Sequence, residues 1–125
     1  GGSIETSLLT RLEAESPELA DQVRQRMFAF ENLGDVGDLD LQRLLQAANR
    51  KDLAMALKLA SGRLKDRVFA NLSNRVAAEI QENLQLLGPK RRSEVEEAQR
   101  RILDLARELE ASGQIALSRR DEEKI

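Results

Sequence analysis

LSNRVAAEIQENLQLLGPKRRSEVEEAQRRILDLARELEASG, residues 72–113, decides the architecture of this 125-residue chain. Val76, Ile80, Leu84 and Leu87 recur at helical spacing behind Ser73, which predicts a helix capped by that serine with these four on its inner face. Gly88-Pro89 is a stop. Ser93 and Glu96 then form an S-x-x-E pattern ahead of Val95, Ala98, Ile102, Leu105, Ala106 and Leu109. The expectation is a capping box opening a long helix that Ser112-Gly113 closes. Each segment carries one apolar stripe and one charged flank, so each must bury one side against a neighbour.

Working outward, the same logic covers the rest of the chain. Ile4, Leu8, Leu9 and Leu12 predict a first short helix ending near Ser16-Pro17. A second restarts there with Ser16 as N-cap and Pro17 at its first position, and Leu19, Val23 and Met27 form its stripe. Asp38 is expected to cap a helix with Leu41, Leu44, Leu45 and Ala48 inside, running to Asn49. Leu53, Ala56, Leu57 and Ala60 mark the next, ended by Ser61-Gly62, and Leu64, Val68, Phe69 and Leu72 the one after. Ile115 and Leu117 are placed to fold back onto the core. Gly1 to Ser3 read as a tag or linker remnant, and residues 118–125 as a tail too polar to be ordered by burial. No segment reads as a strand, so the fold class is all-α, about seven helices joined by short loops.

Composition narrows the chemistry. Hydrophobic residues make up 41% and charged residues 34%, enough apolar content for a core beneath a broad solvated surface. The chain has no cysteine and no histidine, which removes disulfides, thiolate metal sites and imidazole catalysis, and fits a reducing cytosol. A net charge of −2 and the absence of Trp and Tyr argue against nucleic-acid binding. No run approaches the roughly 18–20 apolar residues that cross a bilayer, so no direct membrane insertion is expected. No phosphate loop, paired catalytic acids or metal-ligand spacing occurs; the expectation is a non-enzyme without cofactor or metal.

What remains are surfaces. Arg75, Glu79 and Glu82 share the outer face of the 74–87 helix at i, i+4, i+7 spacing, with the exposed Leu86 on the same side. That face is either solvent decoration with an Arg75–Glu79 pair worth about 0.3–0.5 kcal/mol, or a docking ridge for a partner. Lys90, Arg91 and Arg92 form a short basic cluster that Glu94, Glu96 and Glu97 immediately offset. RMFAFENLGDVGD, residues 26–38, holds two of the three phenylalanines beside Gly34 and Gly37. In a helix Phe28 and Phe30 would point about 200° apart. Either both fill core at a helix end, or they divide between an upstream and a downstream body beside a soft glycine-bearing loop.

MFAFENL (27–33), LQRLLQAANRKDLAMALKLAS (41–61) and LSNRVAAEIQENLQLLGPKRRSEVEEAQRRIL (72–103) together resemble the C-terminal region of the FliG family of bacterial flagellar motor switch proteins. The likeness runs from about Leu19 to Ile115, and more loosely back to Ile4. It implies a segment of a longer protein: the end of an armadillo-type middle region at 4–30, then a compact torque-generating helical domain at 31–117. The E-H-P-Q motif of the family's middle domain is absent. A hinge is implied at Met27, Phe28, Ala29 and Phe30, with Gly34 and Gly37 behind it. The implied partners are the stator protein MotA, the rotor protein FliM and neighbouring FliG copies in a ring, at the flagellar basal body on the cytoplasmic face of the inner membrane. Carried over motif by motif, the stator-binding positions are Lys58 of A-L-K, Arg75 of S-x-R, Glu82 with Asn83, and Arg91 of G-P-x-R. Asn83 is neutral where the family often has a second acid, and Glu79 is a possible compensating charge. The rival reading is an armadillo-like helical adaptor that binds protein partners through an apolar groove.

Overall fold

The computed structural model describes residues 2–117, with the side chains of residues 2–7, 21 and 24–27 left out. Of the remnant expected at residues 1–3, Gly1 lies outside the described residues, as do the tail at 118–125 and the stripe side chains of Ile4 and Met27, whereas Gly2 and Ser3 are helical and open α1. Seven α-helices and one 3-10 helix are present among the described residues, without a strand: α1 (Gly2–Glu15), α2 (Pro17–Met27), the 3-10 helix (Phe30–Asp35), α3 (Asp38–Ala47), α4 (Arg50–Leu57), α5 (Gly62–Ala70), α6 (Asn74–Leu86) and α7 (Arg92–Ala111).

Helices α1 and α2 pack on each other as a hairpin. Proline opens α2 because its missing N–H is one the first turn would leave unpaired, and the Ser16 carbonyl already accepts the Ala20 N–H at 3.0 Å. The expected stripes are only partly used. Leu9, Leu12 and Val23 are half-buried, Leu8 and Leu19 face outward, and Ala20 is the fully covered residue.

The main core runs from Phe30 to Leu117 and is centred on α4. That helix lies against both α6 and α7. Leu53, Ala54, Ala56 and Leu57 are all buried, and the two alanines let its neighbours approach while the leucines fill the space between them. Ile80 enters from α6, and Val95, Ala98, Ile102 and Ala106 form the buried stripe of α7. Ile115 and Leu117 do fold back, held by Arg43 donating to the Gln114 carbonyl at 2.8 Å and by the Leu117 N–H donating to Glu110 at 2.9 Å.

Helix ends depart from expectation in instructive ways. Ser73 caps α6 as read, accepting the Val76 N–H at 3.2 Å. Asn49 and Ser61, read as helix ends, instead open the next helices: Asn49 accepts from the N–H groups of Lys51 and Asp52, and Ser61 from that of Leu64. Asp38 is not a cap, since Gly37 takes that position and the Asp38 carboxylate pairs with Arg67. The Ser93–Glu96 capping box does not form either. Arg91 adopts the extended cap conformation and its carbonyl accepts from Glu94 and Val95, so Ser93 is already inside α7. Gly88 and Gly113 sit at φ of 64° and 80°, a region that favours glycine.

The segment behind the phenylalanines is not a slack loop. Residues 30–35 wind into the 3-10 helix, with Leu33, Gly34 and Val36 buried. Three tethers bind it to α5. Ser61 donates from its N–H (2.9 Å) and its hydroxyl to the Glu31 carboxylate, Arg63 pairs with Asp35, and Arg67 donates to the Gly34 and Val36 carbonyls. Both aromatics belong to the same body: Phe30 is in the main core and Phe28 packs against it. The expected division of the two rings between upstream and downstream bodies therefore does not occur. Neither residue is in an α-helix, so the 200° separation never applies.

Two of these contacts make folding acid-sensitive. Hydrogen bonds from Ser61 hold the Glu31 carboxyl below the usual carboxylate range, and Arg67 and Asn71 do the same for Asp38. The unfolded chain takes up protons at these groups first. Their stabilisation is thus complete above the ordinary carboxylate pKa and is lost as pH falls through the lowered values. Glu31→Gln is expected to cost about 1 kcal/mol at neutral pH and to flatten the loss of stability below roughly pH 4, checked by urea unfolding across a pH series.

Candidate docking face on helix α6

Helix α6 is held from behind and open in front. Ile80 is fully buried, with Val76, Leu84 and Leu87 packed against the core, and this pins the orientation of the whole helix. Lys58 adds a second hold at its end, donating from Nζ to the Gly88 carbonyl. Because consecutive residues are about 100° apart, Arg75, Glu82 and Leu86 fall within an arc of roughly 40° on the side away from Ile80.

Arg75 and Glu82 are both exposed, and no hydrogen bond or ion pair engages either among the described residues. Glu79 differs. Its carboxylate pairs with Arg50 at the start of α4, so the anticipated Arg75–Glu79 pair along α6 is replaced by a tie to a neighbouring helix. Sequence reasoning missed Arg50, which lies 29 positions from Glu79 and shares no periodic pattern with it. Asn83 is half-buried at the flank of the stripe, and Lys58 is half-buried with its ammonium committed to Gly88. Arg91 is exposed at the start of α7, three residues beyond that glycine.

The structure therefore brings Arg75, Glu79, Glu82 and Leu86 onto one outer strip, with Lys58 fastened at its C-terminal end. Met27 closes α2 and Phe28 to Phe30 follow it, with the Ala29 N–H donating to Asn32 Oδ1 at 2.7 Å. Gly34 and Gly37 line a shallow polar dent together with Asp35, Val36, Asp38 and Arg67. No group of metal-ligating side chains occurs among the described residues, and no helix is long and apolar enough to cross a membrane. What the outer strip can do chemically is offer two ionised groups of opposite sign and one apolar group to another surface.

A family model described as the FliG C-terminal domain matches residues 10–117. The flagellar motor switch protein FliG of Thermotoga maritima is 41% identical over 121 residues, covering 97% of this chain and 36% of that protein. That of Borreliella burgdorferi is 39% identical over the same length and 35% of its own. The chain thus spans about a third of the relatives it matches. A crystal structure of FliG residues 116–343 from H. pylori superposes with a TM-score of 0.84 at 30% identity, covering 94% of this chain and 52% of that one. Full-length FliG from Aquifex aeolicus gives 0.70 at 29% identity, covering 93% and 36%. With the helix order, the core and the matched sequence in agreement, this chain belongs to the FliG C-terminal domain family.

Proposed function

We propose that this chain is the torque-bearing end of a flagellar rotor and switch component, and that α6 is the face that meets the cytoplasmic loop of the stator protein MotA. The observation that carries this reading is the pair Arg75 and Glu82, ionised, outward-facing and without a partner among the described residues, on a helix whose back is anchored by Ile80. Chemical work comes from ion flow through the stator. The rotor face has only to engage and release. Exposed charges suit that task, since their attraction is modest and is screened over about 8 Å at physiological salt. Arg91 adds a second exposed cation beyond the C-terminal end of α6, while Lys58 acts mainly by holding the α6–α7 turn in place.

In this reading residues 4–30 end an armadillo-type region and 31–117 form the torque domain, with copies arranged in a ring at the cytoplasmic face of the basal body and FliM as a further partner. Direction switching is a reorientation about the MFxF segment. Its pivot lies at Met27 to Ala29, upstream of Gly34 and Gly37, because the 3-10 helix beyond is tethered to α5 and both phenylalanines pack with the downstream core.

The test is a titration of this chain against the purified MotA loop and against FliM at rising salt. Affinity for the loop is expected to fall steadily with salt and to be altered by changes at Arg75 and Glu82. A loop that does not bind, or binds with no salt dependence, overturns the proposal.

A further inference from the structure

Helix α6 carries its outer strip on a light anchor. Ile80 is its one fully buried side chain among the described residues, whereas α4 and α7 bury four each. Val76, Leu84 and Leu87 pack against the core only in part. Apolar contact is non-directional, so a helix seated in this way is free to roll about its own axis unless something else holds it. With side chains an α-helix is about 10–12 Å across, and a roll of 20° carries its outer ends about 2 Å sideways. A hydrogen-bonded charge pair does not survive a displacement of that size.

Two polar ties oppose such a roll, and both come from α4, the helix against which α6 chiefly packs. Arg50, the first residue of α4, pairs with Glu79, and Lys58, at its C-cap, donates from Nζ to the Gly88 carbonyl. The spans match. From Arg50 to Lys58 α4 covers about 12 Å, and Glu79 to Gly88 covers about 13 Å, so the two helices lie side by side in the same direction, gripped at both ends of α4. Glu79 lies about 100° round the helix from Ile80, so a directional contact there resists the rotation that the apolar stripe alone permits. Partly exposed ties of this kind add little to overall stability; what they fix is orientation. Resting on the stator reading above, we infer that Arg50 and Lys58 are positioning residues for the docking face. They set the roll and register of α6, and so the direction in which Arg75 and Glu82 point, without themselves meeting the partner.

Because the chain has no cysteine, a pair introduced at the exposed positions Ala78 and Glu94 carries spin labels at those two sites alone. The distance between the labels reports how α6 lies against α7. It is measured in the otherwise unaltered chain, in Arg50→Gln/Lys58→Gln and in the charge exchange Arg50→Glu/Glu79→Arg. The same three proteins without labels are titrated against the purified MotA cytoplasmic loop, with Tm recorded for each. Arg50→Gln/Lys58→Gln is expected to shift or broaden the label distance by about 2 Å. Its affinity for the loop is expected to fall about tenfold while Tm stays within about 5 °C. The exchange rebuilds the pair with its charges reversed, so it is expected to recover the label distance and most of the affinity. An unchanged distance in Arg50→Gln/Lys58→Gln, or a changed distance with undiminished binding, overturns the positioning role and leaves the stator reading standing. So does an exchange variant that recovers the distance but not the affinity, since Arg50 would then be meeting the partner itself. Absence of loop binding by the unaltered chain overturns the stator reading and the role that rests on it.

Discussion

Replacing Arg67 by alanine is expected to destabilise the protein by about 2–3 kcal/mol, a fall in Tm of roughly 10 °C, although the side chain is not part of the apolar core. Arg67 is under one-third exposed, and its guanidinium donates to two backbone carbonyls, Gly34 at 3.3 Å and Val36, as well as pairing with Asp38. Those carbonyls lie at the end of the 3-10 helix, Gly34 within it and Val36 just after it, beside the buried side chains of Leu33 and Val36. Removing the donor leaves partly buried acceptors for water to satisfy, at a cost of about 1–3 kcal/mol each before water enters. Arg63→Ala provides the control. It also pairs with this segment, through Asp35, but both partners are more than half exposed, so the expected loss is well under half of that for Arg67. Equal Tm values for the two variants in a thermal melt would remove the clasp from the account of this fold.

The double reversal Arg75→Glu/Glu82→Lys is expected to abolish swarming in a cell that carries it in its rotor, with no loss of folded protein. Both side chains are exposed and unpartnered among the described residues, so stability is expected to stay within about 0.5 kcal/mol of the unaltered chain. Under the proposed stator contact the expected effect on torque is large for a different reason. Each reversal would then exchange an attraction for a repulsion, which acts on partner choice far more than on the fold. Matching reversals in the MotA loop are expected to restore movement. Full swarming by the double variant with an unaltered stator is the result that counts against α6 as the working face.

Much of this molecule was readable without coordinates because helical periodicity and punctuation are local properties. The inner stripe of α6 from Val76 to Leu87, the buried stripe of α7, the Ser73 cap and the return of Ile115 and Leu117 are all where spacing and residue type place them. The outward position of Arg75, Glu82 and Leu86 follows at once, since a helix with a buried face has only one side left for them. Cap positions were less legible. Asn49 and Ser61 stand at true boundaries, but a polar residue between two apolar stripes serves equally as the end of one helix or the start of the next. The Ser93–Glu96 pattern failed because it describes a cap only if the preceding residues stay extended, and Arg91 takes that role first.

What the sequence determined alone is an all-α chain with one amphipathic helix bearing an open charged strip, because amphipathicity is set by the order of residues along a single segment. What only the tertiary structure decided is which charges on that strip stay available and how the stretch after Phe30 is held. Glu79 is claimed by Arg50 from another helix, Lys58 by the Gly88 carbonyl, and the glycine-bearing stretch after Phe30 by Arg67, Arg63 and Ser61. Each of these contacts joins residues about 30 positions apart. No local pattern encodes such pairings: they exist only once the apolar core has brought α4, α5 and α6 beside their partners.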